Sequence, residues 1–273
     1  MSEDVRHVVL AGTAFGYRDT RRGLPVVFQH GLGADAGQPA DVMPERPRVR
    51  AVTLECRGHG RSAPAASPSI AGFARDVRAL IGYLGLDRPV VGGISMGAAV
   101  ALRLAAETPD AFRALVIARP AWEIETAPAN MRIFAEAARA LGEHGPVAGR
   151  ERFAASAAAR GLGEASPDNL ASVLGQFDHP DPAGRAALLA AVASDGPGVD
   201  AAAVAALDLP TLVIGNADDA IHPLPMARAL AERIRGARFV EIPSKTRSRE
   251  GYRAGFRAAL AGFLSPFAAE EAW

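Results

Sequence analysis

Cysteine occurs once in 273 residues, at Cys56. That excludes an internal disulfide and any zinc site built from several thiolates. Lysine is equally scarce: Lys245 is the only one, and every other member of the Lys and Arg set is Arg. The Arg bias and the heavy Ala content read as genome composition, so most Arg and Ala positions are expected to say little about function. Neither sign of charge is in excess, since 30 Lys and Arg balance 30 Asp and Glu, and no global field draws the chain to nucleic acid or an anionic membrane surface. A long apolar run is missing too. The longest uncharged stretch, Pro89 to Leu102, falls short of the roughly 18 to 20 residues of a membrane span and is broken by Gly92, Gly93, Ser95 and Gly97. The start, Met1-Ser2-Glu3-Asp4, is acidic where a secretory signal carries positive charge, so a cytoplasmic location is expected. There is no dinucleotide or Walker fingerprint and no H-E-x-x-H, so neither a cofactor nor a metal is expected.

What is present is a chain 49% hydrophobic and 22% charged, a globular composition long enough for a sizeable core. Val, Ile and Leu runs bounded by Gly and Pro predict strands at Val5 to Leu10, Thr13 to Asp19, Pro25 to Gln29, Val49 to Cys56, Pro89 to Ile94, Ala114 to Ala118, Thr211 to Gly215 and Arg238 to Ile242. Helices are predicted at Ser69 to Leu84, Met96 to Glu107, Leu224 to Ile234 and Gly251 to Leu264. In the first, Ile70, Phe73, Val77, Leu80, Ile81 and Leu84 form one apolar stripe. Buried-type strands alternating with such helices argue for a mainly parallel sheet covered on both faces. Between Trp122 and Leu207 the strand signal vanishes and the chain turns Ala-rich and helical, with breaks at Gly142 to Pro146, Ser166-Pro167 and His179 to Pro182. Two units follow: a core of residues 1–120 and 207–273, and a helical insertion at 121–206.

Ser95 stands in Gly93-Ile94-Ser95-Met96-Gly97, a G-x-S-x-G pattern between a strand and a long helix. A sharp turn there holds the serine Oγ above the sheet, and the helix N-terminus aims free N–H groups at the reaction site. The bland alternative is a glycine-rich packing turn with a bystander serine. Two further loops occur in the expected order: His30-Gly31-Leu32-Gly33 and Arg57-Gly58-His59-Gly60-Arg61-Ser62. With these three motifs the chain resembles the α/β-hydrolase family, from about Val5 to Pro120 and from Pro210 onward. The resemblance implies an α/β fold with Ser95 as nucleophile, the Leu32 and Met96 N–H groups as oxyanion hole, and the region 121–206 as a cap. His30 and His59 are expected to hold turns. The family's acid lies in a D-x-x-x-P loop, here Gly215 to Pro223. Spacing back from Pro223 selects Asp219, and spacing forward from Gly215 selects Asp218. Asp219 is preferred, because an extra residue is easily absorbed just after the strand.

The pattern breaks at the base. The family places a histidine after the last strand, where this chain has Ser244-Lys245-Thr246-Arg247-Ser248, and no histidine follows His222. A serine hydroxyl without a base is a poor nucleophile. Of three replacements, His222 in the acid loop is preferred, because an imidazole titrates near neutrality without a costly shift; Lys245 in the base's own loop, if desolvated, is the alternative, and His179 hanging from the insertion comes last. Arg247 and Tyr252 could orient a substrate. Trp122, Ile124, Met131, Ile133 and Phe134 suggest an apolar pocket or a packed cap. The function expected is hydrolysis of a small ester, lactone or related acyl compound with a serine nucleophile and an atypical base; the alternatives are binding of a small molecule without turnover and a lyase or cyclisation reaction that polarises a carbonyl. The partner in each is a small molecule.

Overall fold

The computed structural model describes residues 5–270, so the acidic start Met1 to Asp4 and residues 271–273 lie outside the described region. Eight strands form one sheet: β1 (Arg6–Leu10), β2 (Thr13–Asp19), β3 (Leu24–Gln29), β4 (Val49–Leu54), β5 (Val90–Ile94), β6 (Ala114–Ala118), β7 (Thr211–Gly215) and β8 (Arg238–Glu241). Their order is β1-β2-β4-β3-β5-β6-β7-β8. β1 and β2 form the leading hairpin, β2 runs antiparallel to β4, and every pairing from β4 to β8 is parallel.

The helices are α1 (Gly37–Ala40), α2 (Ile70–Tyr83), α3 (Met96–Glu107), α4 (Arg132–Ala154), α5 (Ala157–Ala165), α6 (Pro167–Leu174), α7 (Pro182–Ala193), α8 (Ala201–Ala205), α9 (Leu224–Arg233) and α10 (Arg249–Glu270). Every residue of β5, β6 and β7 is buried, because helices cover both faces of these central strands. Alternate residues divide the core. Val27, Val91, Leu115 and Val213 pack with Phe73 and Val77 of α2 and with Val100 and Leu104 of α3. Val26, Phe28, Val116 and Leu212 face the other way, against Tyr252, Phe256 and Leu260 of α10. Strand β4 ends two residues before the predicted Cys56, where the chain turns into the Arg57 loop, and α10 begins at Arg249 and continues past Leu264.

Between β6 and β7 the chain forms only helices and turns, α4 to α8 with short 3-10 segments. The break expected at Gly142 to Pro146 is a kink within α4, centred on Gly145 at φ 73°. Three helices here carry side-chain N-caps: Ser156 accepts from the Ala159 N–H, Asp181 from Gly184 and Asp200 from Ala203.

The strand order reverses around β3: β4 lies on one side and β5 on the other. In open α/β sheets such a reversal leaves a crevice at the carboxyl ends of the strands. The register pairs Gln29 with Gly93, Ile94 with Ala118 and Gly215 with Glu241. The loops that follow therefore open side by side along one edge.

Candidate active site

Ser95 is the hinge between β5 and α3, held at φ 58° and ψ −114°, a region non-glycine residues rarely adopt. Its N–H donates to the Ala118 carbonyl at 3.0 Å, which ties the turn to β6. Gly93 and Gly97 are required by close backbone approach. A Cβ on Gly93 would run into the Gly97 carbonyl, and one on Gly97 would run into the Gln29 carbonyl. The serine is thus forced out above the sheet, at the first turn of a helix whose leading N–H groups have no intrahelical acceptor.

The turn after β3 lies against it. A Cβ on Gly31 would stand 3.4 Å from the Ser95 Cβ, and the Gly31 N–H donates to Gln38 Oε1 at 2.7 Å. His30 beneath is fully buried: its Nε2 accepts the Cys56 N–H at 3.0 Å, so Nδ1 carries the proton and donates to the Gly31 carbonyl at 2.8 Å. Burial, opposed only in part by that bond, lowers its pKa to about 4. The His59 ring lies 4.9 Å away, tilted by 55°, and burial and His30 hold its pKa well below its ordinary value. Both imidazoles are neutral props of their turns.

His222 reaches the serine. Its Nε2 stands 2.9 Å from Ser95 Oγ, while Nδ1 lies 2.8 Å from Asp219 Oδ1 three residues back. The His222 N–H also donates to Asp219 Oδ1, at 3.2 Å. Pro223 stiffens the chain just beyond, and the inserted helices fix the rest of the loop. Ser166 Oγ accepts the Ala220 N–H and donates to the Asp218 carbonyl, Asn169 Oδ1 accepts the Ile221 N–H, and Asn130 donates to the Ile221 carbonyl. Asp218, at φ 53°, turns away and accepts from Ser244 Oγ at 3.1 Å and Arg247 Nε at 2.6 Å. The two neighbouring carboxylates therefore serve different loops.

A fourth group, Arg119, joins the cluster from the end of β6. It is buried, adopts φ 45°, and grips Asp219 Oδ2 through Nε at 2.8 Å and Nη2 at 2.7 Å. Its Nη2 also lies 3.1 Å from His222 Nδ1. Burial would raise the Asp219 pKa, but His222 and Arg119 together hold it well below the usual carboxylate range. Burial lowers the His222 pKa; Asp219 pulls it back up and Arg119 pushes it down, leaving it below its ordinary value. Arg119 stands apart from the many Arg positions expected to say little, because it is buried against Asp219 and His222. A composition bias hides a buried Arg among exposed ones, and the available signal was its position at a central strand's carboxyl end.

A cavity of about 70 Å³ opens in front of Ser95 and His222, with Leu32 on one wall and Phe134, Asn169 and Ser172 of the inserted region on another. Lys245 reaches the same cavity. No hydrogen bond joins it to Ser95; its amine sits 4.8 Å over the Tyr252 ring. His179 is remote, with its Nδ1 beside the Asp181 carbonyl in a separate cavity next to Gly58 and Pro64. Tyr252 is buried between Lys245 and Arg119. Of the five residues suggested for an apolar pocket, only Phe134 lines this cavity. Trp122 is buried with its Nε1 on the Asp195 carbonyl, Met131 is buried, and Ile124 and Ile133 pack against the core. Among the described residues no three His, Cys, Asp or Glu side chains gather as a metal site, and no helix is long and apolar enough to cross a membrane.

A family model for the alpha/beta hydrolase fold matches residues 25–245, and the chain belongs to that family. It is 34% identical over 95 residues to the sn-1-specific diacylglycerol lipase ABHD11 of Mus musculus, a match covering 34% of this chain and 31% of that protein. Over 103 residues it is 32% identical to 3-oxoadipate enol-lactonase 1 of Acinetobacter baylyi, covering 37% of this chain and 38% of that one. The chain thus spans between a quarter and two fifths of the length of these relatives. Among solved structures, the enol-lactonase from Burkholderia xenovorans LB400 superposes with a TM-score of 0.73 at 25% identity, over 95% of this chain and 100% of that one. An esterase from Exiguobacterium antarcticum superposes at 0.75, over 96% of this chain and 99% of that one; at 19% identity it speaks to the fold alone.

Proposed function

We propose that the protein is a hydrolase of small esters or lactones, with Ser95 as nucleophile, His222 as general base, Asp219 as its orienting acid and the Leu32 and Met96 N–H groups as oxyanion hole. The observation that carries this reading is the pair of contacts on one imidazole, 2.9 Å to Ser95 Oγ and 2.8 Å to Asp219 Oδ1. They supply the base that the loop after β8 lacks. The ring's tautomer decides whether it works. Asp219 asks for a proton on Nδ1 and Arg119, which has only N–H to offer, asks for a lone pair there. The ionised carboxylate at 2.8 Å is the stronger partner, so Nδ1 carries the proton and Nε2 is free to accept from the serine.

In the reaction Ser95 Oγ attacks the carbonyl carbon as its proton passes to Nε2. The oxyanion of the tetrahedral intermediate is met by the Leu32 and Met96 N–H groups. The bond to the leaving oxygen then breaks as Nε2 returns the proton to it, and in a lactone that alcohol stays tethered to the acyl chain. Water then attacks the acyl carbon as its proton passes to Nε2, and the bond to Ser95 Oγ breaks as Nε2 returns that proton to the serine, releasing the acid. Arg119 keeps Asp219 ionised and acts through it as a positioning residue. Residues 121–206 serve as a cap on the core of 1–120 and 207–273, because Phe134, Asn169 and Ser172 wall the cavity while Ser166 and Asn169 hold the His222 loop. The enol-lactonases and the lipase among its relatives support ester or lactone chemistry, and the serine-to-histidine contact favours turnover over mere binding. A fluorophosphonate probe tests the reading directly: labelling at Ser95 in the wild type, lost in His222→Ala, is expected. An unlabelled wild type would overturn it.

A further inference from the structure

Beside the cavity in front of Ser95 lies a larger one of about 280 Å³, the two sharing Gln38, Ile94, Asp168, Ser172 and Lys245 in their walls. The charges around this cleft pair off. Arg119 binds Asp219 at 2.7 Å, Arg249 binds Asp168 at 2.6 Å and Arg253 meets Asp41 at 3.3 Å. Lys245 is left over, and among the described residues no carboxylate stands within ion-pair distance of its amine. Its stacking on Tyr252 is attractive but cancels no charge. The site therefore presents one half-buried cation beside the nucleophile with nothing of opposite sign upon it. The side chain is also the sole lysine of a chain that uses Arg everywhere else. At this point the chain places a compact ammonium on a flexible stem instead of a planar fork.

Resting on the hydrolytic reading of Ser95, we propose that Lys245 is the anchor for a carboxylate carried by the substrate, so that the ester or lactone opened here is an anion. A single ammonium matches a monoanion, and a carboxylate docked on it would fix the far end of the acyl chain while its carbonyl meets Ser95. The groups that face this amine are Arg119, Asp219, Asp168 and Arg249, with His222 across the cavity. Burial and Arg119 bring the Lys245 pKa down to about 8 in the free protein. The amine is therefore charged at pH 7 and loses its charge as pH rises through that value.

The test compares 4-nitrophenyl hydrogen glutarate with 4-nitrophenyl pentanoate, which has the same number of acyl carbons and no charge. The readout is the ratio of their kcat/KM values in wild type, Lys245→Met and Lys245→Arg. A charge-assisted contact predicts that the wild type favours the anionic ester and that Lys245→Met cuts the ratio by about ten- to a hundredfold, while Lys245→Arg keeps part of it. The wild-type ratio should also fall above about pH 8. A ratio unchanged in Lys245→Met, or a wild type that prefers the neutral ester, would overturn the assignment. If neither ester is cleaved, the hydrolytic reading fails instead. Calorimetry with glutarate then decides the present inference: binding to the wild type and not to Lys245→Met supports it, and equal or absent binding overturns it.

Discussion

Two loops at neighbouring strand ends divide the site between them, and they are built differently. The loop after β7, from Asn216 to Pro223, carries Asp219 and His222, buries Asn216, Asp219, Ile221 and His222, and is bonded from above by Asn130, Ser166 and Asn169. The loop after β8, from Pro243 to Ser248, is largely exposed; it binds Asp218 through Ser244 and Arg247 and lends the cavity only Lys245. The comparison teaches that a carboxylate and an imidazole three residues apart can be held together in one short loop when bonds from a roof fix the turn, which is what the proposed acid and base require. On the proposed reading the second loop takes no part in proton transfer, and Lys245 is its contribution to binding.

The largest effect should come from the first loop. His222→Ala is expected to slow acylation of Ser95 by an activated ester by about 10⁴- to 10⁶-fold, read as the rate of the nitrophenol burst. Lys245→Ala should retain that burst with a neutral ester far more fully. Equal losses would erase the difference between the loops. Next comes the pair of carboxylates. Asp219→Asn removes the acceptor that sets the tautomer and should cost about 10³- to 10⁴-fold in kcat, whereas Asp218→Asn, which cuts only contacts to Ser244 and Arg247, should change kcat by a few fold. The reverse order would assign the acid role to Asp218.

Arg119→Met comes third and reads differently. Removing the cation leaves Asp219 buried with one partner fewer, so unfolding by urea should show a loss of about 3 to 5 kcal/mol. The pH profile separates positioning from folding. His222 titrates below its ordinary value and must be neutral to accept a proton, so kcat/KM falls as pH drops through a point below about 6.5. Arg119 is one of the charges that lower that pKa, so the acidic limb should move to higher pH in Arg119→Met. An unmoved limb would reduce Arg119 to a structural role. The smallest effect is expected from Ser166→Ala, which deletes one bond to the Ala220 N–H and one to the Asp218 carbonyl. A drop of about ten-fold or less in kcat, with the pH profile in place, fits a loop held by several partners.

Much of this was legible beforehand for a physical reason. Strands β5, β6 and β7 are buried on both faces, so their apolar runs are continuous, and Gly93 and Gly97 are demanded by backbone contacts that any serine elbow makes. The α4 to α8 region was readable only as helical, since Ala fits any face of a helix and leaves no period. The N-caps Ser156, Asp181 and Asp200 were the marks that could have divided it. Arg119 lay hidden among the many exposed Arg residues, and its place directly after β6 was the one local mark that set it apart.

Local chemistry along the chain determined the alternation of strands and helices, the serine turn and the absence of a histidine after β8, because each depends on residues a few positions apart. Only the tertiary structure decided which imidazole stands against Ser95. His222 and Ser95 are 127 positions apart, and their 2.9 Å contact exists because β5 and β7 flank β6 in the sheet while helices inserted between β6 and β7 hold the imidazole in place. A hydrogen bond needs its atoms placed to within a few tenths of an ångström, and spacing along a sequence cannot supply that across a fold.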